Sequence, residues 1–332
     1  MIDGTGNGGG QMGVTIGVDV GGTKIAAGVV DEHGQVLARM REKTPVSDAD
    51  ATLARIADVV QRLQVEVGPE VRESIGAVGL SVAGLVDKER SIVRLAPNLG
   101  WSNLPARERV SNLVDLPVTL DNDANCAAWA EYRHGAGRGY VDAVTITVGT
   151  GIGGGMVLDG VLYRGGFGAA AEVGHMVIER DGRLCPCGMR GCWEQYASGN
   201  ALVRTARELA AERRDEAQVL LKLGDGSPEG IVGRHITDAA RRGDPVARDA
   251  YEVVGSWLGR GMAVLVAVLD PSVFVIGGGV AESGDLLAIP TGNALHENIF
   301  GLAHRPEVAI RTSPLGNDAG LIGAADLARA LL

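Results

Sequence analysis

The chain has no excess of positive charge: 31 Lys and Arg face 41 Asp and Glu, giving a formal net charge of −10 over 332 residues. Binding along phosphate backbones calls for a basic face, so nucleic acid is not an expected partner. A long apolar run is lacking as well. No stretch approaches the roughly eighteen uninterrupted apolar residues of a membrane span, the run over residues 261–269 being far too short, and no membrane partner is expected. Residues 1–11 are rich in Gly and have neither the basic n-region nor the apolar h-region of a signal peptide; residues 1–13 are read as a disordered tail. Cysteine is scarce, four in all, three of them close together. Their spacing is that of metal ligands rather than of a disulfide framework, so the expected location is a reducing cytoplasm. The sequence G-x-x-x-x-G-K-[ST] is also missing, which excludes a P-loop.

Two residue classes are plentiful. Hydrophobic residues make up 45% of the chain, enough for a substantial core and, at this length, for two domains. The fifty glycines fall in clusters, as backbone turns that approach a ligand require.

Three cysteines lie in the stretch 172–199, which reads Glu172-Val173-Gly174-His175 and then Cys185-Pro186-Cys187-Gly188-Met189-Arg190-Gly191-Cys192-Trp193-Glu194. His175, Cys185, Cys187 and Cys192 are the donor set of a closed structural Zn²⁺ site. Gly188 and Gly191 supply tight turns, and Cys185 and Cys187 are too close in sequence for an unstrained disulfide. Glu172 and Glu194 flank the ligands, so a metal here holds two carboxylates as well as a loop.

Residues 15–20 form an apolar run ending in Asp19-Val20-Gly21-Gly22-Thr23-Lys24, and residues 25–30 resume it. Strand, glycine turn, strand recurs over residues 144–158 around Gly149-Thr150-Gly151, with Gly22, Thr23, Ile25 and Gly28 matching Gly149, Thr150, Ile152 and Gly155. The repeat points to a duplicated fold whose halves each offer backbone N–H groups to a phosphate chain. Gly149, Gly151 and Gly154 also match G-x-G-x-x-G, but that fingerprint must open a helix, whereas an apolar run and an Asp159-Gly160 hairpin signal follow.

Leu53, Ile56, Val60 and Leu63 recur at helical spacing behind possible caps at Ser47 and Asp48. Strands are expected over 75–82 and 118–120, the latter running into Asp121-Asn122-Asp123-Ala124-Asn125 before a helix over 126–133. Capping is the commonest reason for such a cluster; one member can cap while another reaches a ligand. Cys126 is read as a core residue. Later segments are helical, with caps at Ser198, Asp244 and Asp318, and a strand over 273–276 runs into Gly277-Gly278-Gly279, where a base or ribose can lie against backbone.

These motifs, in this order from residue 14 onward, resemble those of the ROK family (repressors, open reading frames and kinases), and most of all its actinobacterial ATP-dependent glucokinases. The resemblance implies an α/β, duplicated actin-like ATPase (ribonuclease H-like) fold with two domains and an interdomain cleft. A smaller α/β domain is expected over 14–122, with room for a last helix, 318–332, to pack on it, and a larger one over 123–317 carrying the zinc loop. Asp123 is implied as general base at the sugar 6-hydroxyl. Asn122, Glu172, His175 and Glu194, with Gly84 and Asn98, are implied to hold the sugar; His175 does so besides ligating zinc. Asp19 suits Mg²⁺, held through water, while Gly21, Gly22, Thr23, Thr150 and Gly151 suit phosphate oxygens, with Lys24 a lesser candidate. The implied partners are glucose and ATP, and the implied assembly a homodimer or homotetramer. The alternatives are a kinase for mannose, fructose or N-acetylmannosamine, a polyphosphate donor, or a sugar-binding regulator. The regulator is disfavoured by the early position of Asp19 and the acidic charge.

Overall fold

The computed structural model describes residues 13–46 and 48–332. Ser47 and the Gly-rich start of the chain lie outside the described residues. Two compact units result. The first runs to Ala130 and takes in Arg164–Ala169 and Asp318–Leu332; the second is Glu131–Tyr163 with Ala170–Asn317. The division falls within the helix Asp123–His134 rather than before it at residue 123.

The first unit contains β1 (Val14–Val20), β2 (Lys24–Val30), β3 (Val36–Lys43) and β4 (Ile75–Val82). A small sheet of β5 (Leu85–Val86), β6 (Val93–Ala96) and β7 (Trp101–Leu104) follows, and then β8 (Val118–Asn122). The main sheet has the order β3-β2-β1-β4-β8. β1 pairs antiparallel with β2 and parallel with β4, and β4 pairs parallel with β8. Alternate residues of a strand face opposite sides, and both sides of β1 are covered. Ile16, Val18 and Val20 join a buried cluster with Leu53, Ile56, Val60 and Leu63 of the helix Ala49–Glu66. That helix is capped by Asp48, whose Oδ1 accepts from Asp50 N at 2.8 Å. The other side takes the last helix, Ala319–Ala328, so closely that a Cβ at Gly17 would lie 1.8 Å from Leu321 O, and one at Gly79 1.8 Å from Ala324 O. The helix stops at Ala328, short of Leu332, and Asp318 precedes it without a side-chain cap bond.

The second unit repeats the plan with β9 (Ala143–Val148), β10 (Ile152–Leu158), β11 (Val161–Leu162), β12 (Val273–Gly277) and β13 (Ala309–Thr312). Its order, β11-β10-β9-β12-β13, has the same sequence of antiparallel and parallel pairings as the first sheet. The turns differ by one residue: four lie between the paired Val20 and Ile25, three between Val148 and Ile152. β10 follows the Gly149 turn directly, so no helix opens there. The core of this unit is the helix Pro245–Leu269, capped by Asp244 through Ala247 N at 3.0 Å. Its length and mean hydropathy of 1.5 would also suffice to cross a membrane. Here it packs against the helices Asp285–Asn298 and Gly199–Glu212.

Candidate active site

Parallel pairing aligns the carboxyl ends of three strands in the first unit. Asp19 is in register with Ser81, and Ser81 with Asp121, so the turn after Val20, the turn at Gly84 and the start of the helix Asp123–His134 leave the same edge of the sheet. Ligands of open α/β sheets gather at such edges.

Asp19 is half-buried, and its Oδ1 accepts from Ser81 Oγ at 2.6 Å. Burial pushes its pKa above the ordinary value, against the Ser81 hydrogen bond and the positive charge of Lys24. A carboxylate held this way gains from a cation. The turn beside it is braced by Gly21 N to Lys24 O at 3.0 Å and by Thr44 Oγ1 to Gly21 O at 2.7 Å, leaving Thr23 and Lys24 exposed. A Cβ on Gly22 would lie 2.9 Å from both Cβ and O of Asn98, so only glycine lets the turn rest on that loop. Asn98 itself is exposed.

Asn122 caps the helix: its Oδ1 accepts from Asn125 N at 3.0 Å, and its Nδ2 donates to Gly84 O at 3.0 Å. Asp123, next in line and half-buried, accepts from Ala124 N at 2.9 Å. Asn122 thus carries the cap bond to Asn125 N, while Asp123 bonds the adjacent Ala124 N. Two polar residues here were given no role from the sequence. Asp121, only 3% exposed, takes Arg164 Nε and Nη2 on Oδ2, each at 2.7 Å, and Asn125 Nδ2 on Oδ1 at 3.0 Å. Asp121 stands in the Asn/Asp cluster, which was a signal; Arg164, 43 residues away in sequence, had none. Cys126 is fully buried, as a core residue should be.

The second unit brings together its own set. Gly277 of β12 pairs with Thr147 of β9, so the Gly277-Gly278-Gly279 and Gly149-Thr150-Gly151 turns emerge side by side, joined by Val280 N to Val148 O at 3.1 Å. Thr150 and Gly279 are exposed. Gly199 N donates to Gly149 O at 2.8 Å, tying the helix Gly199–Glu212 to the turn. A Cβ at Gly151 would lie 2.4 Å from Glu194 Oε2, so Glu194 stands against the turn. Glu172 is exposed at the head of the 3₁₀ turn Val173–His175; burial around its carboxyl raises its pKa, His175 opposes the rise, and the like charge of Glu194 adds to it.

The donor atoms of His175, Cys185, Cys187 and Cys192 all lie within 4.8 Å of one another. Cys185 Sγ is 3.8 Å from His175 Nδ1, and Cys187 Sγ is 3.6 Å from Cys192 Sγ. A tetrahedral ion with sulfur bonds of about 2.3 Å sets its ligand atoms roughly 3.8 Å apart, so the set fits one metal ion. Gly188 and Gly191 turn the loop with φ of 91° and 80°. Burial pushes the Cys185 and Cys192 thiols up, while the Met189 N–H lowers Cys187; a bound cation offsets such a burial cost. Glu194 Oε1 accepts from Cys185 Sγ at 3.0 Å. Trp193, fully buried and bonded from Nε1 to Trp257 O at 2.8 Å, fixes the loop in the core.

The family model "ROK family" matches residues 15–331. The chain belongs to the ROK family. This ROK protein is 49% identical over 318 residues to a glucokinase of Streptomyces coelicolor, covering 96% of this chain and 98% of that one. Among solved structures it resembles a ROK family glucokinase from Streptomyces griseus in complex with glucose and AMPPNP, with a TM-score of 0.86 and 48% identity. That match covers 96% of this ROK protein and 100% of the other chain. A xylose repressor of Caldicellulosiruptor bescii is 30% identical, over 94% of this chain and 77% of the repressor. The two like sheets, each carrying a strand–glycine turn–strand unit, agree with the duplicated α/β fold of these sugar kinases.

Proposed function

We propose that the protein transfers the terminal phosphoryl group of ATP to the 6-hydroxyl of D-glucose, giving glucose 6-phosphate and ADP. The observation that carries this reading is the likeness, over nearly the whole chain, to Streptomyces glucokinases, one of them a complex with glucose and AMPPNP. Phosphoryl transfer to an alcohol needs in-line positioning, neutralised phosphate charge and a base for the hydroxyl proton. Asp123 takes the proton of the 6-hydroxyl as the oxygen attacks the γ-phosphorus. In the first unit, Asn122 and Asn98 donate to sugar hydroxyls and the Gly84 turn borders them. Glu172 and Glu194 of the second unit accept from sugar hydroxyls, and a site built on such bonds rejects ligands that lack them.

The turns at Gly21, Gly22 and Thr23 and at Thr150 and Gly151 donate backbone N–H groups to phosphate oxygens, with Lys24 a further cation. Gly277, Gly278 and Gly279 offer a flat backbone to ribose or base. Asp19 would hold Mg²⁺ through water, and Mg²⁺ would supply neutralisation of the phosphate charge. Zinc would be held by His175, Cys185, Cys187 and Cys192, supplying rigidity to the loop that carries Glu194. His175 Nδ1 is the ring nitrogen beside the sulfur, which leaves Nε2 as the nitrogen for a sugar hydroxyl.

The test is ATP-dependent phosphorylation by zinc-replete protein over glucose, mannose, fructose, N-acetylglucosamine and N-acetylmannosamine, with Asp123→Asn as control. Glucose should be the best substrate, and the variant should lose roughly 10²-fold to 10⁴-fold in turnover while still binding glucose. Preference for another hexose would move the substrate, and turnover with polyphosphate alone would move the donor. Sugar binding without any turnover would favour a sugar-binding regulator, the reading toward which the likeness to xylose repressors leans.

A further inference from the structure

We infer that Asp121 and Arg164 are a positioning pair that sets where the Asp123 carboxylate stands; the inference rests on reading Asp123 as the base. Asp121 is the penultimate residue of β8 and only 3% exposed. Its carboxylate receives four donors: Arg164 Nε and Nη2 on Oδ2 at 2.7 Å each, and Asn122 N at 2.9 Å and Asn125 Nδ2 at 3.0 Å on Oδ1. A buried carboxylate is tolerated when paired and fully hydrogen-bonded, and Arg, with its planar fork, is the cation suited to it. The two asparagines flank the base on either side in sequence, and Asn125 N also bonds Asn122 Oδ1 at 3.0 Å. The segment carrying Asp123 is therefore held from one buried oxygen, through Asn122 just before the base and Asn125 two residues after it.

Arg164 reaches this point in an unusual way. It opens Arg164–Ala169, the short excursion by which the chain, between Tyr163 and Ala170 of the second unit, joins the first unit. The excursion has a second close contact at Gly168, where φ is +89° and a Cβ would lie 2.5 Å from Val86 O. Four residues beyond Gly168 the chain reaches Glu172. One strap, fixed at Asp121 and at β5, is thus continuous in sequence with a carboxylate proposed for the sugar and is bonded to the residue that orients the proposed base.

Misplacing a reacting group by an ångström costs on the order of 10²-fold in rate. Arg164→Gln and Asp121→Asn are each expected to lower kcat on that order with KM for glucose little changed, and Arg164→Lys, which keeps a cation for Oδ2, should recover a large part of the loss. Glucose titration calorimetry and thermal unfolding verify that the variants are folded. Wild-type kcat in both variants overturns the inference. So does a loss that falls on KM rather than kcat, or one that Arg164→Lys fails to recover. The underlying reading is judged apart, by Asp123→Asn: normal turnover there removes the base assignment and the pair's purpose with it, whereas an inactive Asp123→Asn beside a fully active Arg164→Gln removes the pair alone.

Discussion

At the scale of single residues, the two aspartates of the proposed site stand in different surroundings. Asp123 sits at a helix start with Ala124 N as a partner, whereas Asp19 is held by Ser81 in a pocket that raises its pKa by burial. The sign of that shift makes a prediction. In the unfolded chain Asp19 ionises at its ordinary pH, while in the folded chain it keeps its proton to higher pH. Its contribution to stability is therefore complete below the ordinary carboxylate value and is lost as pH rises through the raised one. Asp19→Asn should keep the Ser81 bond, flatten that loss and raise the neutral-pH unfolding temperature of the ligand-free protein. Turnover should fall at least 10²-fold if Asp19 serves the metal. Melting curves across the acid range test it; a variant whose pH profile parallels wild type would refute the burial argument. Asp19 and Asp123 could be singled out in sequence because each stands at the carboxyl end of an apolar strand within one motif, Asp19 as the last residue but one of β1 and Asp123 just after β8. Arg164 was not, since its partner is fixed only when β8 and the excursion meet.

At the scale of elements, the loop that carries the His175 and cysteine cluster is a short segment with little regular structure, spanned by the bridges Val177 to Cys192 and Leu184 to Arg190 and anchored by Trp193. A metal ion held by the four proposed donors would couple binding to the order of this loop. Chelation or Cys192→Ser is expected to open residues 182–194 to proteolysis and to weaken glucose binding at least tenfold, with elemental analysis giving one zinc per wild-type chain. Protein that is free of zinc as purified, together with a silent Cys192→Ser, would sink the zinc assignment. Gly151 bears on the same carboxylate from the other side: Gly151→Ala puts a methyl where Glu194 Oε2 stands, and should raise KM for glucose as well as for ATP. An effect on ATP alone would show that Glu194 has room to give. The strand β3 had no clear sequence signal. Its burial alternates between intermediate and exposed, and it carries Arg39, Arg41, Glu42 and Lys43, the charged face typical of a sheet edge; Arg39 and Arg41 pair with Asp318 at 3.1 and 3.7 Å.

At the scale of the whole molecule, the chain builds one plan twice and returns at its end to the first unit. The last helix lies against β1 and β4 through Gly17 and Gly79, so Gly79→Ala forces a methyl toward Ala324 O. Such overpacking costs about 1–3 kcal/mol, and calorimetry should show a lower unfolding temperature; an unchanged one would mean that the helix does not lie where it is described. The sequence by itself determined the strand–glycine turn–strand repeat, the cluster of one His and three Cys, and the caps at Asp48, Ser198 and Asp244, because each is a short-range pattern whose partners lie within a few residues. Only the tertiary structure decided that the units divide within the helix Asp123–His134, that residues 164–169 belong to the first, and that Asp19, Ser81 and Asp121 stand in one row. Those outcomes rest on strand register and on close packing between segments tens to hundreds of residues apart, which no local spacing records.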